Sequence, residues 1–395
     1  MTTSDATRPE PAPATGAGGP LFVTGMQRSG TTLLARLLAA HPRVSLLSQP
    51  LPFLLLEAKR RFLRQLGEAD PPLPFGPLFG ERRYGPGELA EFLRRETFDA
   101  PTLRGIATEM EGFSGQYTRI DPQRLAPLLA NAPPRSLAAT LIHLWRGLAE
   151  PPEATWYGGK ETLAEELLPH LLAAGVRCLL VLRDPRDVLA SLNHGRGGLH
   201  GGRPKPTLWN LRHWRKSIAF ALHLASRAGF CWLRYEDLVE DPERILGEVG
   251  GELGCADLAE AALARPLMDG DGRPWRGNSS HREHFGVGRG SVGAWRGILP
   301  SAVVEITEAS CGPELRALGY PVELPAERAP EVIERFVEPY PIERSALVGY
   351  GDEPAERRAE RRRLELLADP GGEPLARWFL FPEVAARIAE GAAKR

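Results

Sequence analysis

The segment LFVTGMQRSGTTLLARLLAAHP, residues 21–42, constrains the fold of this chain more than any other stretch. Residues 21–24 form an apolar run that predicts a buried strand, and residues 31–40 repeat leucine at helical spacing. The loop between them carries Gly25 and Gly30 and opens directly into the helix. Glycine lets backbone N–H groups approach an anion, and a helix N-terminus adds positive potential. The pattern therefore predicts an anion-binding unit; a plain glycine turn between a strand and a helix is the alternative.

The lysine that ATP- and GTP-binding loops use is absent, and Thr31 stands in its place. A kinase or another transferase that uses nucleoside triphosphates also needs a strand-end aspartate for magnesium, and the candidate Asp184 is flanked by two arginines. The loop instead offers the permanent cation of Arg28. It also offers the hydroxyl groups of Ser29, Thr31 and Thr32. These residues favour an anion other than a magnesium-bound triphosphate.

The composition excludes a general attraction to nucleic acid, since 49 Lys and Arg residues face 50 Asp and Glu residues. Any anion binding is therefore local. The four cysteines are widely spaced and form no CxxC pair, which predicts reduced thiols in a reducing compartment. Residues 1–19 have no apolar signal segment and predict a disordered tail, and no apolar stretch is long enough for a membrane span. We expect a soluble, bacterial-type cytoplasmic protein.

Further strand patterns at residues 155–159, 177–183 and 230–235 alternate with helical patterns. This alternation predicts an α/β fold with a central, mostly parallel sheet flanked by helices, and ligands in such sheets bind at the carboxyl ends of the strands. We expect this domain to span residues 20–325. Residues 326–395 predict a C-terminal helical extension, in which the charge-rich helix EPAERRAERRRLELLA has a solvated face.

A second anion site is predicted from RDPRDVLAS, residues 183–191. Arg183 leaves a strand end, and Ser191 lies just over one turn into the following helix, so a guanidinium and a hydroxyl group can converge on one compact anion. The alternative is a surface cluster of ion pairs formed by the charged residues Arg183, Asp184, Arg186 and Asp187.

Four motifs occur in order: RSGTT, RDPRDVLAS, RYEDL and GRGSVGAWRG. This series resembles the sulfotransferases that use 3′-phosphoadenosine 5′-phosphosulfate, and the resemblance covers roughly residues 20–321. The amino-acid sequence of the motifs is most similar to the protein-tyrosine branch of that family and its bacterial relatives. The resemblance implies a P-loop-like sulfotransferase fold and direct, in-line transfer of a sulfonate group to a hydroxyl acceptor. A metal ion is less necessary than in phosphoryl transfer, because a sulfonate group carries less negative charge than a phosphoryl group. Fixed positive charge and positioning can then supply most of the catalysis.

The resemblance also implies roles for individual residues. Arg183 and Ser191 would hold the 3′-phosphate, and Tyr235 would contact the adenine. Lys160, in GGKET, matches the catalytic lysine of the family. The loop residues that would hold the 5′-phosphosulfate are Gln27, Arg28, Ser29, Gly30, Thr31 and Thr32, with Arg28 also assisting the reaction. Arg289 and Gly290 correspond to a segment that closes over the 3′-phosphate, although Gly288 departs from its leading arginine.

The general base is missing from both of its familiar positions. Gln49 stands where the tyrosine branch has a glutamate, and Thr162 stands where the cytosolic branch has a histidine. Glu57 is the candidate base, with Glu161 and His194 as alternatives, and an exposed helix carboxylate is the competing interpretation of Glu57. A phenolic acceptor needs less help from a base than an alcohol does.

Several points stay open in the sequence. The acceptor is a small molecule or a peptide: a tyrosyl or phenolic group, a natural product, a carbohydrate or a lipid. The glycine-rich loop at residues 193–206 is either a mobile lid or a solvated loop. A nucleotide-binding relative without turnover is the non-enzymatic alternative, and the oligomeric state is undetermined.

Overall fold

The structure of the chain is a computed structural model. The structure describes residues 18–68, 84–111, 120–130, 133–195, 204–269, 273–277, 286–340, 347 and 350–393. The predicted tail at residues 1–19 lies largely outside these ranges, as do residues 196–203 of the glycine-rich loop.

The centre of the described fold is a five-stranded sheet in which every neighbouring pair is parallel. Its strands are β1 (Gly19–Thr24), β2 (Val44–Ser48), β3 (Trp156–Lys160), β4 (Arg177–Leu182) and β5 (Phe230–Arg234). They lie in the order β2-β3-β1-β4-β5, so β1 occupies the middle. Since all five strands run in one direction, their carboxyl ends meet at one edge of the sheet. The predicted parallel α/β sheet is confirmed.

Sixteen α-helices connect and cover the strands in the described ranges. They are α1 (Thr31–Ala39), α2 (Pro52–Gln65), α3 (Pro86–Arg95), α4 (Ala100–Glu111), α5 (Pro122–Ala130), α6 (Leu137–Leu148), α7 (Leu168–Ala173), α8 (Pro185–Asn193), α9 (Thr207–Leu224), α10 (Tyr235–Glu240), α11 (Pro242–Leu253), α12 (Leu258–Leu263), α13 (Ser301–Ala317), α14 (Ala329–Arg335), α15 (Glu353–Ala368) and α16 (Pro382–Ala393). None of them is both long enough and apolar enough to cross a membrane.

The strands are apolar on both faces because helices cover both sides of the sheet. Leu21 and Val23 of β1 belong to a core with α1, α11 and α12, whereas Phe22 belongs to the larger core on the opposite side. Successive strand residues point to opposite faces, so β1 contributes to both cores. The cores hold the carboxyl ends of the strands rigidly, which is the requirement for a preorganised site at that edge.

The bounds predicted for β1, β3, β4, β5 and α1 agree with the structure to within two residues. β2 was not predicted, because its sequence VSLLS is short and carries two serines. The four cysteines are free thiols, as predicted; Cys178, Cys255 and Cys311 are buried and Cys231 is half-buried.

The prediction for the charge-rich helix α15 is wrong in one respect. The helix is present, but the face that carries Glu356, Glu360 and Arg363 is buried rather than solvated. Glu360 Oε1 accepts hydrogen bonds from Arg212 Nε at 2.9 Å and from Arg215 Nη2 at 2.7 Å, both on α9. Opposite charges on α9 therefore replace the water that the sequence pattern predicted around this face. The division of the chain at residue 325 stays a prediction.

Candidate active site

The loop between β1 and α1 brings one glycine against strand β4 and another against helix α10. A Cβ at Gly25 would lie 2.5 Å from the carbonyl oxygen of Val181, and Gly25 has φ 154°. A Cβ at Gly30 would lie 2.4 Å from Cδ2 of Tyr235, and Gly30, the N-cap of α1, has φ 100°. Both the left-handed backbone and the close approach require glycine. The loop is thereby pressed onto β4 and α10, with the N-terminus of α1 open to the same edge of the sheet.

Arg28 joins this loop to α8. It has φ 67°, which is unusual for a residue with a side chain, and its Nε donates to Oγ of Ser191 at 2.8 Å. Its carbonyl oxygen accepts a hydrogen bond from Arg183 Nη1 at 2.9 Å. Burial, followed by the positive charge of Arg183, lowers the pKa of Arg28 to about 10. Two cations held this close favour the binding of an anion between them.

Arg183 follows β4 and lies over the ring of Tyr235, with 4.5 Å between its guanidinium carbon and the ring centroid. Its Nη2 donates to the carbonyl oxygen of Ser291 at 2.5 Å. Its Nε and the Oγ of Ser29 are buried and have no hydrogen-bond partner in the described part of the chain. Buried polar atoms are normally satisfied, so these two atoms indicate a site for a polar ligand.

The surface cluster considered as the alternative for the second motif is wrong, because its four residues are all buried. Asp184 caps α8 and pairs with Arg186, which also donates to Glu308 Oε1 at 2.6 Å. Asp187 accepts from the backbone N–H groups of Gly293 at 2.7 Å and Trp295 at 3.0 Å. Asp187 was not identified from the sequence as a link to the late motif. These bonds fix the backbone of residues 183–191. Arg183 and Ser191 both contact Arg28.

The motif GRGSVGAWRG contacts the other predicted site residues through its backbone. The turn Arg289–Ser291 is held by the bond from Arg183 to Ser291, but the Arg289 side chain is 66% exposed and donates to the carbonyl oxygen of Glu240 at 2.8 Å. A Cβ at Gly290 would meet no atom within 4 Å. The structure therefore brings the turn, and not the Arg289 guanidinium, to the other predicted site residues.

Lys160 ends β3 beside the loop and is 1% exposed. Its Nζ donates to Oε1 of Gln49 at 3.1 Å, and its carbonyl oxygen accepts from the Gln49 backbone N–H at 2.7 Å. Burial lowers the pKa of Lys160; Glu161 opposes this shift, while Arg36 and Arg28 add to it. Burial also raises the pKa of Glu161, whose Oε1 accepts a hydrogen bond from the Leu51 backbone at 3.1 Å.

The candidate bases lie in different surroundings. Glu57 accepts from Arg61 Nε at 3.0 Å and from Arg64 Nη2 at 3.1 Å, so both of its oxygens are engaged on α2. His194 ends α8 and its Nε2 is 2.5 Å from the hydroxyl oxygen of Tyr340. None of these bonds joins Glu57 or His194 to Lys160 within the described residues. Glu161 is the candidate base that is adjacent to the lysine along the chain.

The remaining loop residues line the same turn. Ser29 and Thr31 are buried, and Gln27 and Thr32 are half-buried. Among the described residues, no group of three or more His, Cys, Asp or Glu side chains is arranged to hold a metal ion. Metal independence stays a prediction.

Comparison with known proteins gives one family match. Residues 20–71 match the model of the "Sulfotransferase family", which covers β1, the loop, α1, β2 and α2. No curated protein sequence matches the chain significantly.

Solved structures give weaker similarities. The sulfotransferase domain from the curacin biosynthetic pathway is 17% identical, with 82% of this chain and 98% of that chain covered and a TM-score of 0.38. The sulfotransferase domain from the Synechococcus PCC 7002 olefin synthase is 17% identical, with 74% and 92% covered and a TM-score of 0.39. A retinol dehydratase in complex with androsterone and inactive cofactor PAP is 17% identical, with 78% and 82% covered and a TM-score of 0.34. Scores this low carry no conclusion about this chain.

The family match covers the loop that the motifs singled out, and it confirms the resemblance read from the sequence. Over residues 20–71, the chain is similar to the sulfotransferase family.

Proposed function

We propose that the protein transfers the sulfonate group of 3′-phosphoadenosine 5′-phosphosulfate directly to a hydroxyl acceptor. The observation that carries the proposal is the contact between the two anion-binding segments, in which Arg28 of the loop donates to Ser191 of α8. A donor with phosphate groups at both the 3′ and 5′ positions needs two linked anion sites. A donor with a single chain of phosphates does not need the second site.

The polar atoms at the site fit such a donor. The loop N–H groups, the α1 N-terminus and Ser29 Oγ would hold the 5′-phosphosulfate. Arg183 and Ser191 would hold the 3′-phosphate, and the turn Arg289–Ser291 would lie beside it. Tyr235, packed against both Gly30 and Arg183, would contact the adenine. The unpaired Arg183 Nε supports this arrangement because a phosphate oxygen would satisfy it.

In the proposed reaction, the bond from sulfur to the bridging oxygen of the donor breaks while a bond from sulfur to the acceptor oxygen forms. The acceptor loses its hydroxyl proton, and adenosine 3′,5′-bisphosphate leaves. Negative charge develops on the bridging oxygen, so the Lys160 ammonium and the Arg28 guanidinium would stabilise the transition state more than the ground state. The acceptor is a small molecule or a peptide with a hydroxyl group, and its class is part of the test below.

We assign the general base from the surroundings of each candidate carboxylate in the structure, rather than from its position in the sequence. Glu57 was the sequence candidate, but its two arginine partners engage both carboxylate oxygens. Glu161, buried next to Lys160, has the better surroundings for proton transfer because burial raises its pKa toward neutrality. A nucleotide-binding relative without turnover is the second candidate function, and the engaged Glu57 is the observation that favours it.

Sulfur-labelled donor decides between transfer and binding alone. The protein is incubated with labelled donor and EDTA and with separate pools of phenols, tyrosyl peptides, carbohydrates and alcohols, and the products are examined by mass spectrometry for added sulfonate. We expect transfer to one pool. Lys160→Ala is expected to lower kcat by roughly 10²- to 10³-fold with little change in donor Kd, as for loss of one preorganised donor. Donor binding without transfer to any pool supports the second candidate, and turnover of magnesium ATP instead contradicts the family-based proposal.

A further inference from the structure

Gln49 is bound to Lys160 at two points. Its side-chain Oε1 accepts from the Lys160 ammonium at 3.1 Å, and its backbone N–H donates to the Lys160 carbonyl oxygen at 2.7 Å. Gln49 directly follows β2, and Ser48 is the register partner of Lys160 on β3. One residue therefore fixes both the backbone of the lysine and the direction of its ammonium group.

The backbone of Gln49 is held in a conformation that such a residue rarely adopts. Its φ is 50°, in the left-handed region that disfavours side chains. In the described ranges, only Arg28 and Leu163 among the other non-glycine residues share a positive φ. Gln49 follows β2, Arg28 follows β1 and Leu163 follows β3. The Leu163 N–H donates to the carbonyl oxygen of Gly25 at 3.0 Å. Unfavourable backbone conformations are thus concentrated in the segments that carry Lys160 and the loop, which is typical of a functional site.

We propose that Gln49 is a positioning residue, which directs the Lys160 ammonium into the site through a neutral hydrogen-bond acceptor. The inference rests on the proposed function, since it assumes that Lys160 acts on the donor. Position 49 is where the tyrosine branch of the family has its general base. In this arrangement the residue at that position orients Lys160 and does not take a proton from the acceptor.

The charges around Lys160 explain why a neutral acceptor is the suitable one. Arg28 of the loop and Arg36 of α1 are nearby positive groups, and Glu161 is the nearby negative group. Burial is the largest influence and lowers the pKa of Lys160. The amide oxygen of Gln49 fixes the ammonium without adding negative charge. A carboxylate at position 49 would form an ion pair with it, raise its pKa and weaken its attraction for the charge that develops on the donor.

Three substitutions separate the parts of this contact. Gln49→Met keeps the length of the side chain and removes the acceptor. Gln49→Asn keeps an amide and tolerates the left-handed backbone, but its side chain is too short to reach the same point. Gln49→Glu adds the negative charge. Gln65→Glu, at the exposed end of helix α2, is the matched control for charge.

For turnover, we expect Gln49→Met and Gln49→Asn to lower kcat by up to about 100-fold, the effect of a misplaced catalytic group, with donor Kd within about threefold of the parent. Gln49→Glu is expected to lower kcat and to move the alkaline limb of its pH profile upward, because the lysine then keeps its proton to higher pH. Gln65→Glu should match the parent. A Gln49→Glu enzyme that is faster than the parent overturns the proposal, since position 49 would then face the acceptor as a base.

A second measurement does not depend on turnover. Calorimetry of adenosine 3′,5′-bisphosphate binding in alkaline buffers of different ionisation enthalpy counts the protons taken up. The parent should take up protons, because an anion raises the pKa of Lys160. Gln49→Glu should take up fewer, and Lys160→Ala should lose this contribution. If the parent shows this pattern but transfers no sulfonate, the proposed function fails while the Gln49 contact stands. If Gln49→Met has unchanged kcat and proton uptake, the Gln49 inference fails while transfer stands.

Discussion

Arg28 Nε donates to Ser191 Oγ at 2.8 Å across 163 positions of sequence, and this bond joins the loop after β1 to the helix after β4. The adjacent strands β1 and β4 bring the two segments together at their carboxyl ends. Arg183 reinforces the junction by donating to the Arg28 carbonyl oxygen. The two segments that were predicted to bind anions are therefore neighbours, so a ligand held by one segment would also meet residues of the other.

Arg183→Ala is expected to weaken donor binding more than it slows the reaction. The 3′-phosphate is remote from the reacting sulfur, so it should be held equally in the ground and transition states. We expect a loss of about 1.5–3 kcal/mol in donor binding, the contribution of a hydrogen bond to a charged group. Calorimetry gives Kd, and kcat is measured at saturating donor. Arg183→Lys keeps the charge and loses the planar fork, so it should fall between the parent and the alanine variant.

The role assigned to Arg183 would be refuted by a large fall in saturated kcat with donor Kd unchanged. Thermal unfolding of each variant controls for lost packing, since the Arg183 side chain also lies over Tyr235 and bonds to Ser291. A variant whose unfolding temperature falls while its donor Kd stays at the parent value would indicate that Arg183 acts only in packing.

Gly30→Ala is expected to destabilise the loop through two separable effects. The left-handed backbone costs an alanine roughly 1–2 kcal/mol, and the new methyl group would lie 2.4 Å from the Tyr235 ring. Denaturant unfolding should show a loss above the backbone cost alone. Adding Tyr235→Ala should recover the part due to the ring and not the part due to the backbone.

Gly290→Ala is the matched control, because a Cβ there meets no atom within 4 Å. We expect its stability to be within about 0.5 kcal/mol of the parent, as for substitutions away from special contacts. If Gly30→Ala behaves like Gly290→Ala, the loop relaxes away from Tyr235 and the close approach is not required.

Local patterns were enough to predict the strand–loop–helix unit and the strand end at Lys160. The apolar run, the two glycines and the leucine spacing all lie within one short segment, where neighbours in sequence decide the structure. The pairing of Glu57 with Arg61 was also visible in principle, since the two residues are one helical turn apart. The prediction that Glu57 is the base did not take this spacing into account.

Long-range pairing could not be predicted in the same way. The burial of Glu360 depends on Arg212 and Arg215 of a helix far away in sequence. A run of charges in one helix does not show whether another helix presents the opposite charges to it. The same holds for the bond between Gln49 and Lys160, which requires the register of β2 against β3. The sequence identified both residues but not the contact between them.

Glu57→Gln is expected to leave kcat and its pH profile close to those of the parent. Its carboxylate oxygens are engaged by Arg61 and Arg64, and the substitution removes only ion pairs that are partly exposed and contribute about 0–1 kcal/mol. Glu161→Gln is the comparison. Because burial raises the pKa of Glu161, fixing a neutral group there should flatten the acidic limb of the profile. Activity lost in Glu57→Gln, with a parental profile for Glu161→Gln, would restore the assignment made from the sequence.

The buried charges between α9 and α15 predict sensitivity to acid. Burial alone would raise the pKa of Glu360, but Arg215, Arg212 and Arg363 outweigh it and hold that pKa well below its usual range. A carboxyl group whose pKa is lowered by folding stabilises the folded state above its unfolded pKa, about 4.3 for glutamate, and this stabilisation is lost as the pH falls toward the folded pKa. Glu360→Gln removes this charge and leaves three buried guanidinium groups without it, so we expect a loss of about 3–5 kcal/mol at neutral pH.

The pH dependence distinguishes this linkage from a simple packing defect. Urea unfolding of the parent should lose stability between about pH 5 and pH 3, and Glu360→Gln should lose less over the same interval because it has no proton to gain at this position. Glu365→Gln, on the same helix but 49% exposed in its pairs with Arg361 and Arg362, should change stability by about 0–1 kcal/mol and keep the parental slope. Parallel curves for the parent and Glu360→Gln would show that Glu360 titrates alike in the folded and unfolded chains, and the arginines of α9 would then contribute packing without lowering its pKa.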